Sequence, residues 1–335
     1  MDRIPVYVGL DYHQSCVQVC VVDDEGAILS NRRCANEWEA IVASAKRCGQ
    51  VVRVAIESCN GAANLAQELV ERAGWSVHLA HPGYVNRMKA SPDKTDFSDA
   101  RMLADLERVG YLPKVWLAPE SIRDLRRLVR YRQQLAHQRT NTKLRVGALL
   151  REHRVGQAPA GRWSRAWIAW LRQLPLGEQS RWIIDRHLKR IAELNSEIKA
   201  VEDRLNKLTE EDVVVDKLLD QAGIGPVTAW MLRAEIGRFD RFHCGKQLSR
   251  FCALSPRNAS SGTRQADAGL IRAGNRELRA TLIQAAHRLI RYELRWKVLA
   301  SKLLARGKPK SAVTAAVANR WIRWLYHQMQ PQAVA

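Results

Sequence analysis

The sequence lacks the features that mark membrane-spanning and secreted proteins. Its 335 residues contain no run close to the ~18 consecutive apolar residues of a spanning helix, so no membrane partner is expected. Met1 to Ile4 carry charges of both signs and lead into a predicted strand, unlike a secretory signal. Seven cysteines occur without a Cys-x-x-Cys pair. We therefore expect free or buried thiols in a reducing cytoplasm.

Acidic residues are scarce beyond the first third of the chain. Residues 1–110 hold 12 Lys and Arg against 15 Asp and Glu, a net charge of −3. The remainder holds 42 against 19, a net charge of +23, and the pI is about 10.1. Such a basic excess favours a polyanionic partner. The shift predicts an acidic catalytic region followed by a basic binding region.

The first region has the pattern of a mixed α/β domain. Three short runs between residues 5 and 34 alternate apolar and polar positions, which is typical of an antiparallel meander. A helix capped by Asn36 is predicted next, and the runs VVRVAIES and WSVHLA then predict two more strands with a second helix between them. The sequence therefore predicts an RNase H-like domain over residues 1–112, with a sheet of about five strands.

The rest of the chain is predicted to be helical. Residues 113–212 form a middle region in which six apolar residues from Ile191 to Leu208 follow a 3-4-3-4-3 spacing, the seam of a coiled coil. An intermolecular coiled coil and a helical hairpin within one chain fit this pattern about equally. Three tryptophans, at 163, 167 and 170, have the spacing of helix core residues rather than of a base-stacking surface.

Residues 213–335 form a predicted helical C-terminal domain that contains an element resembling a helix-hairpin-helix. Its glycines, Gly223 and Gly225, would let backbone N–H groups at a helix N-terminus approach a phosphate. A plain turn between two helices is the alternative.

Four acidic residues occur at predicted element ends. Asp11 ends the first strand and Glu57 ends the central one, while Asp96 and Asp99 lie three apart at a helix start. Carboxylates that converge repel each other unless a cation lies among them, and nucleic-acid enzymes use this arrangement to hold divalent metal against a phosphodiester. The alternative is a set of solvated strand ends with a capping Asp and a first-turn acid.

The order of these acids, with Asp-x-x-Asp in KTDFSDA, resembles the DEDD-type transposases of bacterial insertion sequences. The N-terminal domain of that family is related to Holliday-junction resolvases. Its C-terminal motifs are similar to three segments here: GIGPVTAWMLRAEIGRFDRF, QLSRFCALSPRNASSG and LIRAGNRELRATLIQAA. The resemblance covers nearly the whole chain, although residues 120–212 match in character rather than in particular residues.

The resemblance implies a recombinase whose four carboxylates hold Mg²⁺ (or Mn²⁺) and whose C-terminal serine becomes covalently joined to DNA. The family's Ser-Gly pair corresponds to Ser261-Gly262, with the adjacent Ser260 as the alternative nucleophile. A structured non-coding guide RNA that pairs with donor and target DNA is also implied. The family further implies a cytoplasmic bacterial protein that acts as a homo-oligomer, a dimer assembling to a tetramer on nucleic acid.

Basic side chains are predicted to grip the nucleic acid through its phosphates. One group lies in the helix after Pro119 and the other around the serine loop: Arg123, Arg127 and Arg130, then Arg264, Arg272 and Arg276. Two other functions fit the sequence. A Holliday-junction-type endonuclease would need the metal but no serine, and a basic binding scaffold would need neither.

Overall fold

The computed structural model describes residues 4–88, 95–258, 267–271 and 273–330. The chain divides into two compact units, Met1–Pro119 and Glu120–Ala335. Helices of the predicted middle and C-terminal regions lie together in the second unit. Among the helices of the described ranges, each is either too short or too polar to cross a membrane.

The first unit is built on one six-stranded sheet. Its strands are β1 (Pro5–Tyr12), β2 (Cys16–Val22), β3 (Ile28–Ala35), β4 (Gln50–Glu57), β5 (Val77–Ala80) and β6 (Lys114–Val115), in the order β3-β2-β1-β4-β5-β6. The first three strands form the predicted antiparallel meander, β4 and β5 run parallel to β1, and β6 is an antiparallel edge. The mixed α/β class is confirmed, and the strand order is consistent with an RNase H-like domain.

Helices cover both faces of this sheet: α1 (Trp38–Lys46), α2 (Ala62–Ala73), α3 (Pro82–Met88) and α4 (Asp96–Arg108). The side chains of β2 alternate between the two faces of the sheet, so they show which helices cover each face. Val19 and Val21 pack in the core that includes α1 and α2, whereas Cys20 and Val22 pack against α4. The sheet is therefore buried on both sides, as its apolar runs indicate.

The expected cap of α1 at Asn36 is wrong. The N-cap residue of α1 is Glu37, and its side chain makes no capping hydrogen bond. The amide of Asn36 instead donates to the backbone carbonyls of His13 and Gln14, at 3.0 and 3.2 Å. Carbonyl acceptors in the turn between β1 and β2 thus compete successfully for this side chain.

The second unit is helical, with one two-stranded ribbon. Its elements are α5 (Glu120–Glu152), α6 (Arg165–Gln173), α7 (Glu178–Leu208), α8 (Val213–Leu219), α9 (Pro226–Ile236), α10 (Gly245–Phe251), β7 (Pro256–Asn258), β8 (Asp267–Leu270), α11 (Arg276–Tyr292), α12 (Leu294–Ala305) and α13 (Lys310–Gln328). The main core lies among α5, α7, α9, α11 and α13, with Trp321 fully buried in it.

The two long helices, α5 and α7, pack against each other as an antiparallel pair. Arg132 contacts Glu202 near one end of the pair, and His153 contacts Ser180 near the other. The seam residues are buried in this chain with the exception of Leu208, which is 48% exposed. Of the two interpretations of the seam, the described residues form the intramolecular hairpin.

The prediction of core is confirmed for Trp167, the centre of the tryptophan cluster, while Trp163 and Trp170 are half-buried and pack against it. Trp167 is 2% exposed, and its ring centroid lies 4.7 Å from that of Trp163 and 6.0 Å from that of Trp170. The cluster packs with Val146 and Ile184, which join α6 to the hairpin. Burial of this kind leaves little surface of the Trp167 ring for stacking on bases.

Candidate active site

Strand register places two of the predicted acids side by side. Strands β1 and β4 are parallel, and Leu10 pairs with Ile56. The next residue along each strand is Asp11 on β1 and Glu57 on β4, at the carboxyl ends of both strands. Neighbouring strand ends of this kind bring side chains to one edge of the sheet.

Helix α4 brings the other two acids. Its cap is Thr95, whose hydroxyl accepts a hydrogen bond from the Ser98 backbone at 3.1 Å, in a capping box. Asp96 is therefore not the capping residue, and its carboxylate makes other contacts. Asp96 and Asp99 lie in the first turn, where the helix dipole favours negative charge.

Gly9 allows α4 to lie directly on β1. A Cβ atom at this position would be 2.0 Å from the carbonyl oxygen of Ala100 and 2.5 Å from the backbone nitrogen of Ala104. Both distances are far below van der Waals contact, so only glycine fits. Because Gly9 is two residues before Asp11 and Ala100 follows Asp99, this close approach carries the first turn of α4 to the end of β1.

The resulting cluster contains a histidine. The Nε2 atom of His13 lies 3.3 Å from Oδ2 of Asp11 and 3.3 Å from Oδ1 of Asp96. One potential ligand atom from each of these three residues lies within 4.8 Å of the other two. The second oxygen of Asp96, Oδ2, accepts a hydrogen bond of 2.6 Å from Nη2 of Arg33 on β3.

Polar side chains of the meander hold the start of α4 in place. Asn31 donates from Nδ2 to the carbonyl of Phe97 at 3.0 Å, and Gln18 donates to Oδ1 of Asn31 at 2.7 Å. Gln18 pairs across the sheet with both Asp11 and Arg33. The first turn of α4 is thus fixed to β3 by hydrogen bonds, which Gln18 of β2 supports through Asn31, as well as to β1 by packing.

The electrostatics of the cluster are those of mutually repelling acids. Burial raises the pKa of the Asp11 carboxyl above its ordinary value, and His13 opposes the rise. The nearby carboxylates of Asp96, Asp99 and Glu57 raise the pKa further. A divalent cation among these groups would relieve the repulsion, and carboxylate oxygens with one imidazole are a suitable donor set. The residues present therefore fit a divalent metal ion.

Two members of the cluster, His13 and Arg33, were not predicted from the sequence. A signal for His13 existed, since it lies two residues after Asp11 and side chains two apart share one face of an extended strand. Arg33 has no such signal, because its contact with Asp96 spans 63 positions and depends on the register of β3.

Family models match both ends of the chain. One, described as a transposase of the DEDD type, matches residues 8–155, and one described as the transposase IS116/IS110/IS902 family matches residues 215–300. The chain belongs to this transposase family. It is accordingly an enzyme, a DNA transposase, and the DEDD type of its N-terminal domain indicates use of a divalent metal ion.

Named relatives of this transposase extend along almost its full length. The transposase for insertion sequence element IS1111A of Coxiella burnetii is 26% identical over 332 residues, which cover 95% of this chain and 88% of the relative. A protein of Pseudomonas aeruginosa named "Probable family 20 transposase" is 27% identical over 339 residues, or 95% of each chain. The transposase for IS1328 of Yersinia enterocolitica is 25% identical over 284 residues, 83% of this chain and 82% of the relative.

The predicted nucleophile of the transposase lies outside the described residues. Ser261 and the alternative Ser260 belong to the segment that joins β7 to β8, and so does Arg264. The two strands pair antiparallel, with Pro256 opposite Leu270. Arg272 also lies outside the described residues, and the roles assigned to these four residues stay predictions.

The two glycines of the helix-hairpin-helix-like element differ in their surroundings. Gly223 has φ +80°, and a Cβ there would be 2.7 Å from Cδ2 of Leu289, so the turn conformation and helix packing both require glycine. Gly225 caps α9 and has no atom within 4 Å of its Cβ position. Both glycines line a groove of about 860 Å³ that also includes His137 and Arg288.

The predicted arginines of α5 have several different partners. Arg130 forms a bidentate ion pair with Glu235, with N–O distances of 2.9 and 3.2 Å. Arg127 pairs with Asp124 on the same helix, and Arg123 is half-buried. In the described part of the serine region, Arg276 is exposed at the start of α11.

Proposed function

We propose that this transposase is an RNA-guided DNA recombinase that excises and inserts a mobile element through a covalent phosphoserine–DNA intermediate. The observation that carries the proposal is the approach of Asp11 and Asp96 at the sheet edge, with Glu57 and Asp99 close enough to raise the pKa of Asp11. Repelling carboxylates fit a cation, and a net charge of +23 beyond residue 110 fits nucleic acid.

In this proposal the four carboxylates, Asp11, Glu57, Asp96 and Asp99, hold Mg²⁺. A bound Mg²⁺ would polarise a phosphoryl oxygen and stabilise the charge that develops on it. Because the carboxylates lie on rigid elements, β1, β4 and α4, they would hold the ion in a fixed position for a phosphodiester. Arg33 neutralises part of the charge of Asp96.

The nucleophile in the proposal is the Oγ atom of Ser261. Its hydroxyl loses a proton, Oγ forms a bond to phosphorus, and the bond from phosphorus to the leaving deoxyribose oxygen breaks. Attack by the hydroxyl of a second DNA strand then forms a new phosphodiester and releases the serine. The energy of the first phosphodiester is conserved in the intermediate, so strands can be rejoined without an external energy source.

The remaining parts of the proposal concern partners. A structured non-coding RNA would pair with donor and target DNA, while Arg123, Arg127 and Arg276 contact phosphates. The protein would act in the bacterial cytoplasm as a homo-oligomer, a dimer that forms a tetramer on nucleic acid. With more than 150 positions between Asp99 and Ser261 in the sequence, one site can combine carboxylates of one protomer with the serine of another.

The proposal is tested on a denaturing gel. The full-length protein is incubated with labelled element-end DNA, the non-coding RNA of the element, and Mg²⁺ or EDTA. We expect a protease-sensitive protein–DNA adduct that needs both RNA and metal. Ser261→Ala and Asp96→Asn abolish the adduct, whereas the matched control Ser260→Ala retains it.

Other outcomes have equally definite meanings. An adduct lost in Ser260→Ala instead of Ser261→Ala moves the nucleophile by one residue. Metal-dependent cleavage to free ends, unaffected by either serine substitution, contradicts the recombinase mechanism and establishes a Holliday-junction-type endonuclease. Adduct formation without RNA contradicts RNA guidance and leaves the serine mechanism standing.

A further inference from the structure

His13 has a geometry that hydrogen bonding alone explains poorly. Its Nε2 atom is equally distant, at 3.3 Å, from one oxygen of Asp11 and one of Asp96. A single N–H points along one direction, so it cannot make a well-aligned hydrogen bond to both oxygens. Hydrogen bonds between charged groups are also shorter, about 2.7–2.9 Å.

The same distances suit three ligands on one ion. Two ligand atoms ~2.1 Å from an octahedral metal ion and at right angles to each other are ~3.0 Å apart. The observed separations from Nε2 of His13 to Asp11 and Asp96 exceed this by a few tenths of an ångström. The imidazole nitrogen therefore needs to approach each carboxylate only slightly to share an ion with it, and the ligand atoms of all three residues lie within 4.8 Å of one another.

The backbone of His13 is held rigidly enough for a ligand. Its N–H donates to the carbonyl of Cys16 at 3.0 Å, which closes the turn between β1 and β2. Its carbonyl accepts a hydrogen bond from Asn36 at 3.0 Å, and Asn36 also binds the carbonyl of Gln14. The side chain is 44% exposed, so an ion can reach it from solvent.

We infer that His13 is a metal ligand beside Asp11 and Asp96, and that it makes the site prefer Mn²⁺ to Mg²⁺. Carboxylate oxygens suit both ions, but an imidazole nitrogen favours first-row transition ions over Mg²⁺, which keeps oxygen ligands. This inference rests on the proposed function only in that Asp11 and Asp96 hold a divalent ion.

Metal binding is measured directly on the full-length protein. Mn²⁺ affinity comes from the electron paramagnetic resonance signal of the free ion, and Mg²⁺ affinity from its competition with Mn²⁺. We expect His13→Gln to weaken Mn²⁺ binding at least about tenfold and Mg²⁺ binding less than about threefold. Pulsed resonance spectra of the bound Mn²⁺ show coupling to a ring nitrogen, and this coupling disappears in the variant.

Two further variants separate the possible results. His287→Gln changes an exposed histidine on α11 in the second unit and leaves both affinities and the nitrogen coupling unchanged. Asp96→Asn weakens the binding of both ions. Unfolding temperatures of all variants identify any loss of fold, and the nitrogen coupling in the wild-type protein is informative whether or not a variant folds.

The inference and the proposed function fail in different ways. If His13→Gln keeps its Mn²⁺ affinity within a factor of two and wild-type spectra lack nitrogen coupling, His13 is not a ligand. The carboxylate site then stands, provided that Asp96→Asn weakens binding. If the wild-type protein binds neither ion at millimolar concentration, the metal site itself is refuted, and with it the inference.

Discussion

Acidic side chains have different neighbours in the two units of the chain. In the second unit, Glu235 is 6% exposed and is held by both nitrogens of the Arg130 fork, at 2.9 and 3.2 Å. In the first unit, the ionisable groups that act on Asp11 are three other carboxylates and one histidine. An acid paired with arginine stabilises a fold, whereas acids that face each other destabilise it until a cation binds.

The difference belongs to the sheet edge rather than to the whole first unit. Glu107, on the same helix as Asp96, is fully buried. It lies 2.9 Å from His78, 3.3 Å from Lys114 and 3.3 Å from Arg53. A structural acid in this unit therefore also collects basic partners. The cluster around Asp11 departs from that rule, which is typical of functional sites.

The comparison predicts that removing an acid changes stability in opposite directions in the two units. The largest effect of all is expected on cleavage, in Asp11→Asn. We expect metal-dependent DNA cleavage to fall at least about 1000-fold, since several kcal/mol of charge stabilisation is lost. In the folded wild-type protein the pKa of the Asp11 carboxyl is raised. The stability that Asp11 contributes is therefore present at low pH and is lost as the pH rises through the folded pKa. At neutral pH the unfolding temperature should therefore rise, by roughly 2 °C.

Calorimetry and the cleavage gel measure both parts of this prediction. Mg²⁺ should raise the unfolding temperature of the wild-type protein but not of Asp11→Asn. A variant that unfolds at lower temperature and still cleaves DNA would make Asp11 an ordinary strand-end residue.

The second unit should respond to Glu235→Ala in the opposite direction. Burial lowers the pKa of the nearby Arg126, and Glu235 opposes that effect. Removal of Glu235 leaves buried positive charge without its partner, so we expect a loss of about 3 kcal/mol in the free energy of unfolding. Urea unfolding measures it, and Mn²⁺ affinity should not change.

The matched control is Asp240→Ala, which breaks an exposed pair with Arg238 in the same unit. We expect no measurable change in the urea midpoint, because exposed pairs contribute little. Equal losses of stability in both variants would show that the burial of Glu235 does not set the size of the loss.

Gly9→Ala should reduce the free energy of unfolding by less than Glu235→Ala does. The added Cβ would force α4 away from β1 and lower the free energy of unfolding by about 2 kcal/mol. Displacement of Asp96 and Asp99 should also slow cleavage about 100-fold. Gly147→Ala is the control: its Cβ meets only the tip of Arg151, at 3.6 Å, and should leave stability unchanged or higher. Normal cleavage by Gly9→Ala would mean that the position of α4 is not critical.

Local patterns predicted much of the first unit. The meander, the strands that carry Asp11 and Glu57 at their carboxyl ends, and the helix that begins at Asp96 all follow from periodicity and turn residues over short stretches. The expected cap at Asn36 failed because its amide binds the turn of His13, a contact across 23 positions. Local propensity does not include such a competitor.

The sequence by itself determined the order of the four acids, the heptad spacing from Ile191 to Leu208, and the division of charge between the two parts of the chain. Periodicity and composition are properties of neighbouring residues, so they can be read along the chain. Only the tertiary structure decided that the heptad seam packs within the chain, that Gly9 admits α4, and that His13 and Arg33 meet Asp96. These contacts depend on strand register and helix approach, which are selected by the packing of the whole domain.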